Sequence, residues 1–251
     1  MDGEKLALDM LILHGARNRL RNAVRVVHGM ALDVQDVVFS GLCSGLAVLT
    51  EEQKKSGAIV IDMGGGTTDF VAYADDVVAA AGVIGVGGDH VTNDLGLAFS
   101  IPALQAEKIK KEFGCQQAGG GPSRIALPAE MGFPGRSVDV PSLYQVVHAR
   151  MKETFTLVRR ELEASGVLQH AGAGVMLTGG GAHMRGVCAV AQDIFGLPCT
   201  IGKPRNVTGL ATATEGPEYA TCVGLVQYAF QALAEQGRLS PLGWLRGLLG
   251  R

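Results

Sequence analysis

The sequence predicts an α/β fold: a sheet-forming lobe interrupted by a mostly helical insertion. Three observations predict it. An apolar strand over 59–63 runs into the glycine triplet 64–66 and out into a second strand at 70–73. More than a hundred residues later, a strand at 175–178 enters a second triplet, 179–181, and a helix is expected from about 184 to 195. Between them, from about 99 to 168, apolar residues recur at helical spacing.

The remaining elements follow in order. A strand is expected at about 6–13. A helix over 17–29 follows, with Leu20, Val24 and Val27 on its apolar face and arginines at 17, 19, 21 and 25 on an exposed, basic one. The first glycine turn joins two strands, a third runs over 77–86, and Gly87-Gly88-Asp89 launches a helix that Asp89 can cap. In the insertion, a helix over 102–114 ends at glycine. A glycine-rich loop at 116–123 separates it from a long amphipathic helix, 143–162, whose inward positions are Val147, Met151, Phe155, Val158 and Leu162. A last helix ends near 237.

Composition narrows the class. The chain has 251 residues, 47% hydrophobic and 18% charged, enough for a core and one or two subdomains of a soluble, cytosolic domain. A formal charge of −2 and 5% aromatic residues give no nucleic-acid footprint. Five cysteines with no Cys-x-x-Cys spacing read as reduced, buried thiols, not as zinc ligands or disulfides.

The chemistry resides in the glycine turns. Gly64, Gly65 and Gly66 let backbone N–H groups converge on phosphate oxygens, and Thr67 and Thr68 add hydroxyls. Asp62, ending an apolar strand, is placed to hold Mg²⁺ through water. An ordinary hairpin is the plainer alternative. Gly180 and Gly181 precede a helix whose N-terminus would offer N–H groups to an anion or a base edge, although many such turns are simple βα connections. Glu107 and Lys110 share one helix face, the pattern of most solvated faces. His183 reads as structural. In the tail, Leu242, Trp244, Leu245, Leu248 and Leu249 fall within an arc of about 160° at ~100° per residue, with Arg246 and Arg251 beside them. Such a segment suits an anionic membrane surface; docking on the protein's own core is the alternative.

The strings at 62–69, 85–94, 106–110 and 177–184 occur in the order seen in actin-like ATPases, and the chain resembles the FtsA family of bacterial cell-division proteins. The resemblance implies an actin-like (ribonuclease H-like) lobe binding ATP and Mg²⁺. Asp62, Gly64, Gly65, Gly66, Thr67 and Thr68 would contact metal and phosphates, and Glu107, Lys110, Gly180 and Gly181 the nucleoside. It also implies self-assembly, attachment of FtsZ to the inner face of the cytoplasmic membrane, and a membrane-targeting tail.

Two departures shape what is expected. Relatives open with another Asp-bearing glycine turn on an opposite lobe; residues 1–49 resemble only that lobe's last strand, helix and strand, so the sequence is expected to correspond to about the C-terminal two thirds of its relatives. Residues 50–99 and 171–237 would form the nucleotide-binding lobe, 100–170 the inserted subdomain and 238–251 the tail. Ser40 stands where the wider superfamily carries an acid that positions water, so hydrolysis should be slow or absent and the nucleotide a switch. Competing readings are an actin-like ATPase or sugar kinase with turnover, and an actin-like adaptor of a pilus or secretion system.

Overall fold

The computed structural model describes residues 10–115, 123–129, 132–207 and 215–239. Its centre is a five-stranded sheet built from β1 (Ala58–Met63), β2 (Thr68–Ala74), β3 (Val77–Ile84), β6 (Val175–Thr178) and β7 (Cys199–Ile201), in the order β3-β2-β1-β6-β7. β1 pairs antiparallel with β2 and parallel with β6. An unbroken apolar run is what a strand covered on both faces requires, and alternate β1 residues do point to opposite cores.

On one face Ile59 and Ile61 join Phe70, Val175 and Leu177 in the larger core. This core takes in α4 (Gly88–Phe99), α5 (Ala103–Phe113), α6 (Val140–Ala164) and α7 (Val187–Phe195). Helix α6 supplies Val147, Met151, Phe155, Val158 and Leu162, all buried as the periodicity predicts. Its start is set by Asp139, whose carboxylate accepts the Ser142 N–H at 3.0 Å, and by Pro141 in the first turn.

On the other face Ala58, Val60, Val71, Tyr73 and Met176 pack against α2 (Ser40–Val48) and α8 (Ala220–Leu239). The two helices approach closely, since a Cβ on Gly224 would lie 1.7 Å from the Cys43 carbonyl oxygen; α2 also lies close on the sheet, where a Cβ on Gly45 would be 3.0 Å from the Tyr73 hydroxyl. α1 (Arg17–His28) buries none of its residues, and α3 (Glu51–Lys55) is a short helix closed by a Thr50–Gln53 capping box.

Several expectations are corrected. Residues 10–13 form no strand; Met10, Leu11, Ile12 and Leu13 are exposed, with no strand beside them to pair with among the described residues. Nor does a strand form between α1 and Leu49, where residues 40–48 are helical, with Cys43 and Ser44 against α8 and Gly45 against Tyr73 of β2. Asp89 does not cap α4; the Gly87 N–H is met instead by His90 Nδ1 at 3.1 Å. The helix after the second triplet starts at Val187, since a 3₁₀ turn, Gly180–His183, intervenes. The insertion carries a hairpin, β4 (Arg124–Leu127) with β5 (Arg136–Asp139), as well as helices. Residues 116–122 and the tail residues Leu242, Trp244, Leu245, Arg246, Leu248, Leu249 and Arg251 lie outside the described residues. Among the described residues, no helix is long and apolar enough to cross a membrane.

Candidate functional site

Both glycine turns leave the same edge of the sheet because the strands that lead into them are neighbours: Asp62 is in register with Thr178. The first turn is closed by the Gly64 N–H donating to the Thr67 carbonyl at 2.9 Å. Its own carbonyls are taken by the start of α4, with Gly88 N–H on Gly64 O at 2.9 Å and Asp89 N–H on Gly65 O at 2.8 Å. The N–H groups of Gly65 and Gly66 meet no acceptor among the described residues, and a Cβ on Gly66 would touch nothing. Both glycines are exposed, and the space over Gly66 is open, the arrangement an anion needs.

The cleft in front of this turn holds about 570 Å³, within the usual range for a small-molecule site. Gly64 and Gly65 line one end, Gly180, Gly181 and Met184 the other, and Glu107, Lys110 and Lys111 a side wall. The structure thus brings together most of the residues singled out from the sequence. Thr68 is turned away: it is buried, and its hydroxyl donates to the Val86 carbonyl at 2.8 Å. Thr67 stays exposed at the turn.

Glu107 and Lys110 form a pair at 2.5 Å, but the lysine is not a free cation. Its Nζ also donates to Gly88 O at 3.0 Å and Thr92 Oγ1 at 2.9 Å, so its three protons are all committed. Lys110 rivets α5 to the first turn of α4, and the groups left for a ligand are Glu107 and the exposed Lys111. Burial pushes the Glu107 carboxyl up, but hydrogen bonds from Lys110 and Thr92 and the lysine's charge outweigh it and hold the group below the ordinary carboxylate range.

Beneath the turn lies a polar cluster on the rear of the sheet end. Asp62 Oδ2 accepts the hydroxyls of Ser44, on α2, and of Thr221, on α8, the latter at 2.8 Å. Across the strand pair, in register with Asp62, stands Asp69, which accepts the Ser40 hydroxyl. Burial, above all, and the Asp62 charge raise the Asp69 carboxyl, against the lowering effect of the Ser40 and Thr67 hydroxyls. Two half-buried carboxylates facing one another beside the glycine turn are a donor set that fits a hydrated Mg²⁺, which takes one or two carboxylates and keeps several waters. Ser44, Thr92, Lys111, Glu218 and Thr221 escaped the sequence reading. Ser44 and Thr221 are 177 positions apart, and only the α2–α8 packing unites them.

This architecture, a mixed sheet whose two glycine turns face one cleft, defines the actin-like class of nucleotide-binding folds. Solved structures agree on the fold: MreB5 of Spiroplasma citri bound to ADP has a TM-score of 0.69 at 18% identity, over 90% of this chain and 69% of that one. The PilM–PilN type IV pilus biogenesis complex gives 0.61 at 19% identity, over 83% of this chain and 57% of that one. A family model described as cell division protein FtsA matches residues 59–224. The cell division protein FtsA of Pseudomonas aeruginosa is 35% identical over 97% of the chain and 59% of its own length. That of Escherichia coli is 34% identical over 91% of the chain and 56% of its own length. The chain belongs to the FtsA family. It spans less than two thirds of the length of these curated relatives.

Proposed function

We propose that the chain is the nucleotide-binding part of a cell-division adaptor that binds ATP with Mg²⁺, self-assembles, and ties the FtsZ ring to the inner face of the cytoplasmic membrane. One observation carries the nucleotide part: Gly64 and Gly65 of the first turn line the same cleft as Glu107, Gly180 and Gly181, and the Gly65 N–H meets no acceptor among the described residues. In this reading Gly64, Gly65, Gly66 and Thr67 hold the phosphates, and Asp62, with Asp69 opposite, holds Mg²⁺ through water. Glu107 takes the ribose hydroxyls, and Lys110 fixes Glu107 in place. Thr68 supports the turn from behind. Mg²⁺ would neutralise charge shared between phosphates and carboxylates.

The nucleotide would be a switch. Ser40 is a neutral side chain whose hydroxyl donates to Asp69, so it does not itself serve as a base toward water. Residues 50–99 and 171–237 are assigned to the nucleotide-binding lobe, 100–170 to the inserted subdomain, 1–49 to the edge of a first lobe, and 238–251 to an anchor on anionic lipid, with Arg246 among its cations.

Calorimetric titration tests the nucleotide reading. Saturable binding of ATP, tightened by Mg²⁺ and weakened by Asp62→Ala, is expected; no heat and no thermal shift at millimolar ATP would end it. For the partners, co-sedimentation with FtsZ filaments and flotation with anionic liposomes are expected. Deletion of 238–251 should abolish the second alone.

A further inference from the structure

Among the residues lining the cleft stands a side-chain pair that the proposed phosphate and ribose contacts do not use. His183 ends the 3₁₀ turn Gly180–His183, and Glu218 lies in a second 3₁₀ turn, Pro217–Tyr219; both line the cleft. His183 Nε2 and Glu218 Oε2 are 2.5 Å apart. The two turns are also joined by backbone, with Gly179 N–H donating to the Pro217 carbonyl at 3.0 Å. The pair is therefore held from both sides.

Chemistry then decides which ring nitrogen carries the proton. The His183 hydrogen bond, first among the causes, holds the Glu218 carboxyl below the ordinary range, so at neutral pH Glu218 is a carboxylate and can only accept. Nε2 must be the donor. In the neutral imidazole Nδ1 is left as an acceptor, and it meets no hydrogen-bond partner among the described residues.

Resting on the nucleotide reading above, we infer that His183 is the base-selecting residue of the cleft: its Nδ1 accepts the exocyclic amino group of a 6-aminopurine, and Glu218 is the positioning residue that fixes the tautomer. A 6-oxopurine presents an oxygen at that edge, and lone pair would meet lone pair. The site thus discriminates through a fixed acceptor, and discrimination by a polar group left unpaired exceeds what apolar fit achieves.

The test is equilibrium binding of ATP and ITP, which differ at the 6-position edge of the base, to the chain and three variants. The unaltered chain should prefer ATP by about tenfold or more, the worth of one well-made hydrogen bond and one avoided clash of acceptors. His183→Ala should weaken ATP and spare ITP, erasing the preference. Glu218→Ala should shrink the preference, and Glu218→Gln, whose amide oxygen still accepts from Nε2, should restore most of it. Both side chains are more than a third exposed, 58% and 39%, so the variants should fold, and melting curves verify this. Equal loss for both nucleotides, or an unchanged ratio in His183→Ala, overturns the inference while leaving the nucleotide reading intact. Failure of the unaltered chain to bind either triphosphate overturns both.

Discussion

The two glycine triplets look alike in sequence and do opposite work. At the first, Gly66 has open space where a side chain would be, and the nearest atom to a Cβ on Gly65 is an Asp89 oxygen at 3.1 Å. Nothing inside the protein demands glycine at Gly66; in the proposed reading, room for a phosphate does. At the second, Gly179 has φ +79°, and a Cβ there would fall 2.2 Å from Asp62 Oδ1 and 2.7 Å from the Met63 carbonyl. A Cβ on Gly181 would fall 2.6 Å from that of Met63. Only Gly180 is unobstructed. The second triplet is largely a buttress against which β1 and its terminal aspartate are seated, and the first is the surface that buttress presents.

The largest effect should come from breaking the buttress. Gly179→Ala combines a left-handed φ with a backbone collision and should cost roughly 3 kcal/mol or more, read as a lowered melting temperature or loss of soluble protein. Gly66→Ala sharpens the contrast: stability should stay within about 0.5 kcal/mol, because the position is exposed and open. Its ATP affinity should fall about tenfold, since a methyl group would stand where phosphate approaches. Equal stability losses at the two positions would erase the distinction.

Smaller effects come from the carboxylates around the turns. Asp69 has a raised folded-state pKa, so its charged form opposes folding above that value and the penalty fades as pH falls toward 3.8 and below. Asp69→Asn, which keeps an acceptor for Ser40, should raise the melting temperature at neutral pH by about 2 °C while weakening the response to Mg²⁺. Glu107 has the opposite sign. Its folded-state pKa lies below the unfolded value of 4.5, so its stabilisation is complete above that value and is lost as pH falls through the lower one. An acid titration should show this loss in the unaltered chain and not in Glu107→Gln.

The core strands were legible because burial on both faces leaves a continuous apolar run, and both turns because three consecutive glycines admit few explanations. The helix 40–48 was not. Its glycines have poor helix propensity and are explained by packing that spacing does not show: Gly41 lies against the Phe39 ring, Gly45 against Tyr73 and Val71 of β2, and the Cys43 carbonyl against Gly224 of α8. Residues 10–13, the described part of the strand expected at 6–13, form none for a related reason, since apolar content cannot specify a neighbour to pair with. The Glu107–Lys110 face was found, but not how it is held: sequence spacing places two charges on one side of α5, yet it does not reveal that Gly88 O and Thr92 satisfy the lysine. The polar cluster of Asp62 with Ser44 and Thr221 was invisible for the same reason, as its members come from three distant elements.

The adjacency of Asp62 and Thr178 on paired central strands also governs how the cleft can move. The turns that would hold phosphate and base are extensions of a single pair of rungs, and spreading them apart would tear the middle of the sheet. The side of the cleft most able to adjust to a ligand should then be the α4–α5 unit, which bears Glu107 and Lys110 and meets the first turn through hydrogen bonds at Gly88 and Asp89. Mechanically the sheet is the anvil and α4–α5 the jaw, so amide exchange should slow on ligand binding chiefly in the first turn of α4, while β1 and β6 exchange at the slow rate of the intact sheet with or without it.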